Sequence, residues 1–142
     1  MPSDRRAAAH HESGHAVARL IHGLRFDRAY ILADGTGAVE VGPGPRGHRW
    51  GGAIRALSGP VAEARYTGQP LGQILSDQAQ VDYEHASAAL EGTQHTLREA
   101  VEVAHQLVDW AWPGIEALAA VLEAEGEIAP GEAIRLINLA MA

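Results

Sequence analysis

Ala, Leu, Val and Ile recur in this chain in stretches roughly 10 to 20 residues long, with glycine and proline between them. Such stretches are too long for ordinary strands and suit amphipathic helices, so a mainly α fold is expected. At 142 residues the chain fits one domain, 1–142, and can bury a core without covalent staples. It has no repeat, no low-complexity tail and no linker long enough to divide two domains. Cysteine is absent, which excludes disulfides, thiolate zinc sites and cysteine nucleophiles. The net charge is −7, with glutamates concentrated after residue 90 and no basic stripe. Nucleic acid is therefore not an expected partner, because phosphate contacts dominate that affinity. Residues 1–6 are polar, no signal-like apolar run follows, and nothing approaches the roughly 20 apolar residues of a membrane span. No membrane association and a cytoplasmic location are the expectation.

Ser3 or Asp4 can cap a first helix that runs to about Ile21, with Gly23 as its stop. Val17, Leu20, Ile21 and Leu24 form an apolar arc on it, and His11 and His15 lie on another face. A β-hairpin follows: Ala29 to Leu32, a turn at Asp34-Gly35-Thr36-Gly37, then Ala38 to Val41. Gly42 to Gly47 is a loop that can border a cleft. Residues 50–66 are helical in pattern, with a kink or restart expected at Gly59-Pro60. Thr67 to Gly72 is a linker, and the next helix spans Ser76 to Leu90. Gly92-Thr93 starts another through Trp110, Pro113-Gly114 a third to Glu125, and a short helix after Gly131 closes the chain.

The chemistry is concentrated in His11-Glu12-Ser13-Gly14-His15, an HExxH on the first helix. Residues i and i+4 sit one turn apart on the same side, so both imidazoles can reach one Zn²⁺. The intervening glutamate then stands beside the metal, placed to take a proton from the attacking water. With 8 His and 12 Glu in the chain, chance supplies roughly 0.04 such matches. Two surface histidines on an ordinary helix are the competing explanation.

A catalytic zinc needs a third protein ligand. Its metzincin position is ruled out, since Ala18 and Ile21 stand where that pattern needs glycine and histidine. His22 lies seven residues beyond His15, roughly 10 Å along a straight helix, too far to share the metal. The ligand must come from a later helix, and Glu63, Asp77, Asp82 and Glu84 are the candidates.

In this light the chain resembles the peptidase domain of the FtsH family of bacterial membrane-anchored zinc proteases. His11 to Ala16 differs from that family's HEAGHA only at Ser13, and Leu57-Ser58-Gly59-Pro60-Val61-Ala62-Glu63-Ala64 is similar to its LAGRAAEE helix. Asp82-Tyr83-Glu84-His85-Ala86-Ser87 resembles the Asp-to-Thr part of its NDIERAT pattern, and residues 117–123 and 131–134 resemble its closing helices. The likeness runs in order over nearly the whole chain. It implies a helical bundle with a small β element after the HExxH helix. It also implies a zinc endopeptidase in which His11, His15 and Asp82 hold the metal and Glu12 is the base. Asp82 is preferred over Asp77, five residues earlier, for its flanking match. The resemblance further implies that extended substrate adds as a strand along Ala38 to Val41. The family's ATPase module and anchor are absent from these residues, and Pro60 stands where it has arginine. The partners implied are a protein or peptide substrate that is already unfolded or flexible, with a separate ATPase or a homo-oligomer as further options.

Glu63 is expected first as an acceptor for an imidazole N–H, behind the ligands rather than among them. His10, His48, His95 and His105 are expected to be packed or surface histidines, and Trp50, Trp110 and Trp112 core or interface anchors. The rival function is a zinc-binding but non-catalytic regulatory module with a peptide groove. A glutamate beside the metal argues against it, because a structural site needs no base.

Overall fold

The computed structural model describes residues 4–45 and 47–142. Among these, the order is α1 (Asp4–Ile21), β1 (Arg28–Ile31), β2 (Gly37–Glu40), α2 (Arg49–Thr67), α3 (Leu71–Ser76), α4 (Gln80–Leu90), α5 (Leu97–Glu125), β3 (Glu127–Ile128) and α6 (Pro130–Ala140). The fold is mainly α with a small antiparallel sheet after the HExxH helix, ordered β2-β1-β3. Among the described residues no helix is long and apolar enough to cross a membrane. The cap candidate Ser3 and the loop residue Arg46 lie outside the described residues.

Helix α1 packs on α2 and α5, and α4 packs on α2. Val17, Leu57, Val61, Val108, Ile115, Leu118 and Leu122 are fully buried where these helices meet. Each such side chain contributes about 1.5–3 kcal/mol by leaving water. The anticipated apolar arc of α1 holds only in part: Val17 is buried, but Ile21 is 39% exposed. The buried face instead runs through Ala9, Ser13, Ala16 and Val17, small side chains that let neighbouring helices come close. At Gly14 the approach leaves no space for a side chain, since a Cβ there would lie 2.4 Å from the Ser58 carbonyl oxygen.

Ser13, on this face, is fully buried, and among the described residues its hydroxyl has no hydrogen-bond partner. An orphaned hydroxyl costs about 1–3 kcal/mol of desolvation. Ser13→Ala is therefore expected to stabilise the fold by about 1 kcal/mol, raising Tm by about 3 °C. Calorimetry checks this, and a lowered Tm would show that the hydroxyl is bonded after all.

Several boundaries depart from the sequence expectations, each for a physical reason. Helix α2 runs unbroken through Pro60 and α5 through Pro113. A proline removes the donor to the carbonyl four residues back. Those carbonyls belong to Ala56, half-buried on a cleft wall, and Asp109, exposed on the surface, so water can satisfy both. The buried faces on either side keep each helix whole. The linker expected over 67–72 is shorter, because Leu71 already begins the short helix α3, and a turn at 77–79 delays to Gln80 the helix expected from Ser76. Helix α5 starts four residues later than expected, at a capping box. Glu99 N–H donates to Thr96 Oγ1, and Thr96 N–H donates to Glu99 Oε1. The pairing of β3 with β1, Ala29 opposite Ile128, was not anticipated.

Candidate metal centre

The i, i+4 spacing on α1 carries His11 and His15 to one side, where α2 and α4 close over them. His11 Nδ1 donates to Glu63 Oε1 of α2 at 2.7 Å, and His15 Nδ1 donates to the Arg55 backbone carbonyl at 2.9 Å. With both outer nitrogens engaged, the two Nε2 atoms turn inward, 3.1 Å apart. Asp82, in the first turn of α4, completes the group: Oδ2 is 2.9 Å from His11 Nε2, and Oδ1 is 3.3 Å from His15 Nε2.

This arrangement fits a metal ion. Tetrahedral zinc bonded at about 2.0–2.1 Å places neighbouring ligand atoms about 3.3 Å apart. Among the described residues, His11, His15 and Asp82 offer ligand atoms that all lie within 4.8 Å of one another. Two imidazole lone pairs aimed at each other also need a cation between them, whether a proton or a metal. Without a metal, burial opposes charge on His11, but its bonds to Asp82 and Glu63 outweigh that and push its pKa up to about 10. Burial likewise opposes charge on Asp82, yet the two imidazoles hold its carboxyl well below the usual carboxylate range. Asp82 and Glu63 thus favour positive charge on the His11 imidazole between them.

The four carboxylate candidates separate cleanly. Asp82 meets both imidazoles; Glu63 sits behind His11, its second oxygen accepting from Gln78 Nε2 at 2.7 Å. Asp77 ends α3 and Glu84 lies on the outer side of α4, both exposed and outside the group. His22 accepts from Arg55 Nη1 at 2.8 Å, away from the metal group. His10 stacks on Tyr66 with centroids 3.9 Å apart, and His95 on Trp50 at 4.0 Å. Trp110 is 66% exposed and so is no core anchor.

Glu12 is buried and lines the same cleft as the ligand group, which has a volume of about 1660 Å³. Among the described residues no hydrogen bond occupies its carboxylate. The backbone of Gly37 passes beside it, and a Cβ there would be 3.1 Å from Glu12 Cγ. Gly37, Ala38, Val39 and Val41 line the cleft, so the edge strand β2 runs along one wall. Two positioning groups escaped sequence reasoning. Gln78 carries no motif, and the Arg55 carbonyl is a backbone atom whose role no side-chain pattern reveals. No protein-family model matches this chain, and no curated protein matches it.

Proposed function

We propose that the protein is a zinc-dependent peptidase acting on unfolded or flexible polypeptide. The observation that carries this reading is the conjunction of a three-ligand group with an adjacent, unengaged carboxylate at Glu12 under an open strand edge. His11, His15 and Asp82 would hold the ion, leaving one side toward the cleft. Zinc supplies Lewis-acid polarisation of the scissile carbonyl and activation of the attacking water. Glu12 takes the water's proton and later delivers it to the leaving amine. Glu63 and the Arg55 carbonyl keep each Nε2 aimed inward by holding the opposite nitrogen. The exposed edge of β2 offers backbone N–H and C=O groups that can pair with an extended chain and lay its peptide bond across the site. The resemblance to FtsH-type peptidases supports the same reading.

Metal content by mass spectrometry tests the foundation. The purified protein is expected to hold about one zinc per chain, lost in Asp82→Ala and kept in Asp77→Ala. Absence of zinc after reconstitution would sink the proposal. Retention in Asp82→Ala would remove Asp82 from the ligand set.

A further inference from the structure

Helix α4 carries Asp82 but has little apolar surface with which to hold it in place. Of its 11 residues, Ala86 and Leu90 are buried. That is a slight anchor for a helix whose carboxylate must keep its place to about 0.5 Å. The other ties of α4 to the bundle are polar and lie near its two ends. Gln78, in the turn before α4, donates from Nε2 to Glu63 Oε2 near the end of α2. At the far end Arg49, the first residue of α2, donates from Nη2 to the carbonyls of Glu91 at 2.7 Å and Ala88 at 3.1 Å. Helix α4 is thus strapped antiparallel along α2, with Asp82 between the two fastenings.

The Arg49 fastening answers a need of the helix itself. The last four carbonyls of a helix find no partner within it and carry its partial negative charge. Helix α4 has no basic residue in its own last turn. Thr93 serves the Leu90 carbonyl, with N–H at 3.0 Å and Oγ1 at 2.6 Å. Arg49 brings a cation from another helix to the Ala88 and Glu91 carbonyls, and a charge-assisted bond is roughly twice as strong as a neutral one. The contact therefore closes the end of α4 and also fixes where α4 lies on α2. Helix α2 is the same element whose Glu63 and Arg55 carbonyl orient the two imidazoles. All three ligands are then set against one frame.

We propose that Arg49 is a positioning residue of the metal centre: by clamping the C-terminal end of α4 to α2 it holds Asp82 at the two imidazoles and tightens metal binding. The inference rests on the reading of His11, His15 and Asp82 as zinc ligands.

The test compares Arg49→Gln, Arg49→Lys and Arg65→Gln. Arg65 supplies the contrast, since it is exposed on α2 like Arg49 but pairs with Asp109 of α5 at 2.6 Å instead of with α4. Zinc affinity, measured by competition against a chelator, is expected to fall about tenfold in Arg49→Gln. It should recover in part in Arg49→Lys and stay within about twofold of wild type in Arg65→Gln. With Co²⁺ in place of zinc, visible absorption follows the coordination geometry, and its bands should change in Arg49→Gln but not in Arg65→Gln. Hydrogen exchange of the metal-free proteins gives a reading that needs no metal. The α4 amides should exchange about tenfold faster in Arg49→Gln, while those in the middle of α2 keep their wild-type rates. Unchanged zinc affinity in Arg49→Gln, or an equal loss in Arg65→Gln, would overturn the positioning role and leave the peptidase reading intact. Absence of zinc from the wild-type protein would sink the peptidase reading instead. The clamp on α4 would then still stand on faster exchange in Arg49→Gln and fall on unchanged exchange.

Discussion

Glu12→Gln is expected to leave about one zinc per chain and to lower peptide hydrolysis by about two to four orders of magnitude. The substitution is close to isosteric, and Glu12 is not among the three groups that converge on the metal position. Packing should survive as well: Glu12 is buried against the start of β2, and the amide fills the same space. What is lost is the capacity to take a proton and give it back. An amide cannot do this at neutral pH, so the loss should fall on kcat far more than on KM. The measurement is zinc content beside steady-state cleavage of an unfolded protein. Near-native activity with zinc bound would remove Glu12 from the chemistry. If the unmodified zinc protein shows no activity to lose, the zinc-binding regulatory module becomes the better account.

Much of this site could be anticipated from His11 and His15, because helical spacing alone turns two imidazoles to one side. The carboxylate partner could not be read that way. Glu63, Asp77, Asp82 and Glu84 all lay on later helices, and only the resemblance at Asp82 to Ser87 favoured one. The structure brings Asp82 to both imidazoles, puts Glu63 behind His11, and leaves Asp77 and Glu84 on the surface. Helix interiors were easier to foresee than their ends. Pro60 and Pro113 are local breakers in a peptide, yet here each sits in a helix whose carbonyl left without a donor can reach water. Thr96 and Glu99 formed a legible capping box that Gly92-Thr93 obscured. The two residues of β3 carry no periodicity of their own and exist because β1 offers them an edge.

The closeness of α1 and α2 makes Gly59→Ala the sharpest test of how the centre is held. A methyl group there would lie 2.3 Å from His15 Nε2, 2.6 Å from Cδ2 and 2.7 Å from Cε1. Those separations are far inside contact distance, so either the ring or the helix must move. The ring is anchored on its other side by the Arg55 carbonyl, and the helix is backed by the buried Leu57, Val61 and Ala62. Swinging the imidazole out costs least, and it removes one ligand while leaving the core in place. Gly59→Ala is therefore expected to weaken zinc binding by about a hundredfold or more, with a modest destabilisation of about 1–3 kcal/mol. Gly72→Ala supplies the contrast, since a Cβ on that exposed residue of α3 meets nothing within 4 Å. It should leave zinc affinity unchanged and stabilise α3 by up to about 1 kcal/mol. Competition against a chelator measures affinity, and thermal unfolding of the metal-free proteins measures stability. Wild-type zinc affinity in Gly59→Ala would mean that the helices separate without cost to the metal, and that their close crossing is not what positions His15.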